Sequence, residues 1–326
     1  MRRRALLLAG GASVALAAVR SFAQASKALP YVVYVPPGTK EGFGENFNVF
    51  RATLKELGYA EGRNISIEAF WGDNKVEGFA ARAASIVVRN PAVIVTASSA
   101  LVAAFKKATP SIPIVFATAA WVVEQGFVAS LRRPGGNITG VILHSELSAK
   151  IAEVAREAFP KMRRLAILVD DKDPIHRSQL AGFEPSAQRL GFEPRVVRIA
   201  RAEDLERAFK ELAERKAEAV YQSALALLAS LRSQLAERAL KMRLPLLSSN
   251  MQDVEAGALL SYGTLQVENY RRTAALVDKI LRGAKPGDLP VEQPEHFRLA
   301  VNMRTAKAIG VTLSPAIMLR VDRVIE

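Results

Sequence analysis

Ser98 and Ser99 stand where a β-rich run gives way to a helical one. Hydroxyls and helix N–H groups at such a junction can receive an anion or a carboxylate, and one of the two hydroxyls also serves as a cap. Asp170, Asp171 and Asp173 end another β-rich run. Three acids invite a metal, yet adjacent acids point in different directions, and N-capping of the next helix accounts for them. Gly38, Gly42 and Gly44 follow the first run, with Phe43 between the last two. Backbone N–H groups there can face a ligand, but the third glycine of a dinucleotide fingerprint is missing at its offset. Histidine occurs only at 144, 176 and 296, and cysteine not at all. That excludes a disulfide scaffold, a thiolate zinc site, an iron–sulfur cluster and a cysteine nucleophile. G-x-S-x-G, Walker A, H-E-x-x-H and kinase signatures are absent from the sequence. No catalytic residue, metal or cofactor is therefore assigned, and the polar groups above read as binding groups.

The elements that must position them alternate. Tyr31 to Val35 is a continuous apolar run, the mark of a strand buried on both faces of a parallel sheet. Phe47, Phe50, Leu54 and Leu57 then form one helical face, closed by Gly58. Strands at 65–70, 92–95 and 112–116 alternate with helices carried by Phe79/Ala83/Ile86 and Leu101/Phe105/Ala108. Arg133 to Asn137 is turn-rich and reads as a boundary. The pattern restarts with strand 165–169, a helix on Leu180, Phe183, Ala187 and Leu190, and capping Gly191. Pro185 inside that helix predicts a kink or a later start. Strand start to capping glycine is 27 residues in the first half and 26 in the second, so the halves form a pseudo-repeat of two α/β lobes. Strands at 194–199, 217–221 and 244–247 follow, then a unit from Gly257, a helix on Val267 to Leu281, and a last strand at 297–302. The architecture expected is doubly wound α/β.

The chain has 326 residues, 50% of them hydrophobic and 24% charged, which fits two globular domains and no membrane bundle. Arg2 to Arg4, the apolar stretch Ala5 to Val19 and Ala23-Gln24-Ala25 form the three parts of a cleavable signal peptide over residues 1–25. The alternative is a retained anchor, and the paired arginines leave general and twin-arginine export open. Removing Arg2, Arg3, Arg4 and Arg20 lowers the net charge from +13 to +9. The remaining cations fall in short, scattered groups without a nucleic-acid-binding motif, so no nucleic-acid partner is expected.

Leu54 to Ile65 (LKELGYAEGRNI) resembles a segment of the ABC-transporter substrate-binding family that includes tryptophan-binding members. Arg133 to Gly140, Gly257 to Gly263, Gly283 to Pro294, Thr305 to Gly310 and Val321 to Glu326 resemble it as well. The resemblance implies a type I periplasmic binding protein: two doubly wound Rossmann-like lobes, a three-crossover hinge, and ligand closure between the lobes. It places residues 26–143 plus 257–285 in lobe one and 144–256 plus 286–326 in lobe two. It further implies a periplasmic receptor, monomeric, that passes a small organic solute to an ABC permease and its ATPase subunit. An exported α/β enzyme and a sensor module presenting solute to a membrane receptor are the alternatives.

Doubly wound sheets bind ligands beyond the carboxyl ends of their strands. On that rule Ser98, Ser99 and Thr118 of lobe one and Asp170, Tyr221, Ser248 and Asn250 of lobe two face the cleft, together with Phe43 and Trp121. Members of the resembled family often read Asp-Pro-Val where this chain has Trp121-Val122-Val123, and those near the tryptophan binder carry an acid at Asn250. Two acids able to pair with an α-amino group are thus missing. The sequence points away from a plain amino acid, toward a neutral or anionic, partly aromatic solute, with Trp121 as its aromatic wall.

Overall fold

The computed structural model describes residues 29–143, 147–173, 175–294 and 296–326. The proposed signal peptide lies outside them, as does His144. The first lobe opens with β1 (Tyr31–Val35), α1 (Lys40–Glu56), β2 (Ser66–Ala69), α2 (Phe79–Val87), β3 (Val93–Thr96), α3 (Ser99–Ala108), β4 (Ile114–Ala119) and β5 (Ile138–Ile142). Its strands are all parallel, in the order β2-β1-β3-β4-β5. Successive side chains of one strand go to opposite faces. Val33 and Val35 accordingly join a core with Phe79, Leu101 and Phe105, while Val32 and Tyr34 join another with Phe50 and Leu54. β5 directly follows the turn read as a boundary, so that turn is internal to the lobe.

The chain then enters α4 (Leu147–Ala158), β6 (Arg164–Asp170), α5 (His176–Arg189), β7 (Glu193–Ile199), α6 (Leu205–Glu214) and β8 (Ala219–Gln222). α7 (Ala226–Ser230), α8 (Arg232–Lys241), β9 (Leu246–Ser248), α9 (Met251–Glu255) and β10 (Leu260–Thr264) complete this passage. α5 runs from His176 through Pro185 without a later start, with the proline on its exposed side. Gly58 (φ 95°) and Gly191 (φ 77°) both take the left-handed conformation that follows a helix end.

After β10 the chain returns to the first lobe. α10 (Gln266–Leu281) packs Tyr270, Ala274 and Val277 into the core that holds Tyr34 and Phe50. Glu292 still pairs with Val141 beside β5. A third crossing leads to β11 (Phe297–Asn302), α11 (Met303–Ile309), α12 (Pro315–Met318) and β12 (Arg323–Ile325). The second sheet has the order β12-β11-β10-β9-β8-β6-β7, and β11 is antiparallel to β10. The lobe boundary expected at 257 therefore moves to Leu265, because β10 pairs with β9 and β11 rather than with the first sheet. The one expected at 285 moves past Glu292. Two α/β lobes and three crossovers stand.

Candidate ligand-binding site

A cavity of about 750 Å³, counting its open mouth, lies between the lobes. A larger hollow, of about 1,410 Å³, is lined only by second-lobe residues beside α4 and α5, so lobe closure does not shape it. Phe43, Ser98, Ser99, Thr118 and Asn250 line the cavity between the lobes; Trp121, Asp170, Tyr221 and Ser248 do not.

The wall from lobe one is made of strand-to-helix junctions. Ser98 caps α3, its Oγ accepting from the N–H of Leu101 at 3.1 Å. Ser99 Oγ donates to the carbonyl of Ala120 (3.2 Å) and accepts from its N–H (3.1 Å), tying the end of β4 to the start of α3. Thr118 Oγ1 donates to the carbonyl of Ala97 at 3.1 Å. All three hydroxyls thus hold backbone in place while facing the cleft. The N-terminal end of α3, ten residues long, thus stands at the cavity wall, with the positive end of its dipole there.

The opposite wall carries charge. Asp253 and Arg232 both line it, paired at 3.3 Å with side chains 4% and 14% exposed. The same carboxylate accepts from Gln222 Nε2 (3.1 Å) and from the Ser248 hydroxyl. Burial pushes the Asp253 carboxyl up to about 6, against the opposing pull of Arg232 and these hydrogen bonds. Asp173 also lines the cavity; its carboxylate accepts from the N–H of Ile175 at 3.0 Å, and burial raises its pKa. Among the described residues, Gln222 Oε1 and Ser223 Oγ are buried without a hydrogen-bond partner, and both residues line the cavity. Asn250 caps the short helix α9 through the N–H of Gln252, at 3.1 Å.

Four expectations shift by a few residues. β8 runs one residue further than expected, so Tyr221 lies inside the strand, fully buried, its ring 5.9 Å from that of Phe183. Gln222, the last residue of β8, and Ser223 just beyond it take the strand-end position. Asp170 is the last residue of β6 and only 4% exposed; its carboxylate turns back to the N–H of Lys172 at 2.9 Å. Asp173, read from sequence as a cap, holds the N–H of Ile175 at the start of α5 and reaches the cavity as well. Ser248 is buried behind it, holding Asn250 N–H and Asp253. Trp121 follows the lining residue Ala120 but is half-buried, with a left-handed backbone (φ 53°), and lies off the lining. Trp71 packs edge-on against Tyr34 and Phe47 in the lobe-one core.

Arg232, Asp253 and Gln222 were missed by sequence reasoning. Arg232 and Asp253 sit on different helices, and no spacing rule relates them. The polar Gln222-Ser223 directly after an apolar strand was the one legible signal.

Residues 40–325 match the family model described as ABC transporter substrate binding protein. The chain belongs to that family. Its fold is that of the type I periplasmic binding proteins. Among relatives, a tyrosine-binding protein of Clostridioides difficile is 24% identical over 262 residues, covering 80% of this chain and 75% of its own. An ABC domain from Streptococcus pneumonia, solved in complex with L-Trp, overlays at a TM-score of 0.82 with 19% identity, covering 91% of this chain and 100% of its own. A conserved domain protein from Vibrio cholerae overlays equally, at 0.82 with 24% identity, over 90% and 99%.

Proposed function

We propose that the protein is the solute receptor of an ABC importer, exported to the periplasm through residues 1–25 and acting there as a monomer. It closes on an amino acid and hands it to a permease and its ATPase subunit. The observation that carries the solute class is the asymmetry of the cavity walls. Lobe two offers the carboxylates of Asp173 and Asp253 with the free acceptors Gln222 Oε1 and Ser223 Oγ, a set suited to an ammonium group. Lobe one offers the N-terminus of α3, whose dipole suits a carboxylate, with the Ser98 and Ser99 hydroxyls holding that junction in place. A zwitterion joins the two sets only when the lobes are shut, which makes binding and closure one event. On this reading Asp173 and Asp253 supply the acidic groups that the resemblance places at Trp121 and Asn250 and that this chain lacks there. The relatives named for tyrosine and tryptophan support the same class.

No helix among the described residues is long and apolar enough to cross a membrane. A thermal-shift screen of the mature protein against amino acids, aromatic acids and small carboxylates tests the reading. Amino acids at a hundredfold excess over Kd stabilise it by about 2.7 kcal/mol. Stabilisation by des-amino carboxylates alone would remove the amino-acid class. Chemical turnover of the bound solute would move the protein to the enzymes.

A further inference from the structure

At one edge of the cleft the lobes touch each other directly. Arg232 Nη2 donates across it to the carbonyl of Gly42 at 3.1 Å. The N–H of Thr39 reaches Ser230 Oγ at 3.4 Å, and Gln252 Nε2 reaches Asn46 Oδ1 at 3.4 Å and the Glu45 carboxylate. Thr39 to Asn46 belong to the start of α1 in lobe one, and Ser230 to Gln252 to lobe two. The fit depends on the absence of a side chain at Gly42. A Cβ there would lie 2.8 Å from Ser230 Oγ and 3.0 Å from Ser230 Cα, the latter being backbone that a rotamer change cannot move. Gly44, on the same helix two residues on, would place its Cβ no closer than 3.6 Å to the Lys40 side chain.

We propose that this edge is a clasp: Gly42 sets how closely α1 can approach α7, and the Arg232 fork fastens the two, so that closure of the lobes is tuned by direct lobe-to-lobe contacts at the rim of the cavity. Arg232 is suited to the role because its planar fork reaches Gly42 and Gln252 while its Nε faces Asp253. The clasp deepens the receptor reading and rests on it for its purpose, but it is measured without any solute.

The chain has no cysteine. Asn48→Cys and Gln234→Cys, exposed positions in lobes one and two, therefore accept a pair of spin labels without background. Distances are read on this labelled protein, with no solute added, and on the same protein carrying Gly42→Ala, Gly44→Ala or Arg232→Lys. Gly42→Ala is expected to lower the ratio of closed to open lobes about tenfold, the effect of one overpacked contact. Gly44→Ala, with the same gain in helix propensity, leaves the ratio unchanged. Arg232→Lys keeps the charge beside Asp253 but loses the fork, and opens the lobes by a similar factor. The clasp is overturned if the parent protein is already open, if Gly44→Ala opens it equally, or if Arg232→Lys leaves the distances unchanged. It is overturned too if folded Gly42→Ala leaves them unchanged. Should Gly42→Ala not fold, Arg232→Lys decides alone. Failure of the solute screen would leave these distances untouched, so the two readings fail separately.

Discussion

The two walls of the cleft are built from the same strand-to-helix junctions and do different work. In lobe one, Ser98, Ser99 and Thr118 spend their hydroxyls on backbone groups of Leu101, Ala120 and Ala97. In lobe two, Asp253, Gln222 and Ser223 keep charge or free acceptors at the surface of the cavity. Lobe one is thus a rigid platform and lobe two the discriminating wall. The difference teaches that a residue lining the cavity and a residue selecting the solute are separate properties. Substitutions on the two sides should therefore separate stability from affinity.

The largest effect is expected from Arg232→Met. It leaves the Asp253 carboxylate buried without its cation, a loss of about 3 kcal/mol for a broken buried pair. The loss depends on pH with a definite sign. Burial already raises the folded-state pKa of Asp253 to about 6, above its ordinary value of 3.8, so the unfolded chain holds fewer protons between those values. Stability from this group is present at low pH and fades as pH rises through 6. Without Arg232 the pKa climbs further, and the deficit grows from pH 5 to pH 8. Urea unfolding at the two pH values measures it; a deficit of equal size at both would show that Asp253 does not titrate against Arg232.

Next in size is the contrast between Asp253→Asn and Ser99→Ala. The first should weaken amino-acid binding by about 100-fold, the scale of truncating a buried charged partner. The second should cost about 1 to 3 kcal/mol of stability, because the N–H and carbonyl of Ala120 lose their partner, with affinity changed less than about threefold. Calorimetric titration and thermal unfolding of both variants give the four numbers. If Ser99→Ala weakens binding as much as Asp253→Asn, the platform is itself selective and the division between the lobes fails.

The fold was legible for local reasons. Tyr31–Val35 and Phe297–Asn302 stand where the apolar runs put them, and Gly58 and Gly191 end their helices as the repeat implied. β10 was misplaced because Gly257 to Tyr262 reads as a strand in either lobe; only its pairing with β9 and β11 decides, and pairing is not local. The platform half of the site was legible for the same reason as the helices, since Ser98 follows β3 and Thr118 lies at the carboxyl end of β4. The discriminating half was not. Asp253 lies three residues past a capping Asn250 and reads as a first-turn acid, and Arg232 reads as surface on an amphipathic helix. Their partnership exists only once α8 and α9 are packed side by side. Tyr221 shows the opposite failure, where one residue of strand length moved a polar candidate into the core.

The smallest effect concerns Trp121, which the strand-end rule made an aromatic wall. It sits half-buried off the lining, with φ at 53°, a conformation costly for a residue with a Cβ. Trp121→Ala and Trp121→Gly remove the same indole, so the packing lost is common to both. They differ in that glycine enters the left-handed region freely, whereas alanine keeps the strain. The opposing term is the entropy glycine returns to the unfolded chain, of about 0.4 to 1 kcal/mol. A left-handed Cβ costs roughly 1 to 2 kcal/mol, so the strain wins and Trp121→Gly is expected to be the more stable variant, by about 0.5 kcal/mol. Both should bind amino acids within about threefold of the parent protein, far less than the roughly 30-fold loss of a stacked anchor. A large and equal loss of affinity in the two variants would return the indole to the cleft and make lobe one a selecting wall after all.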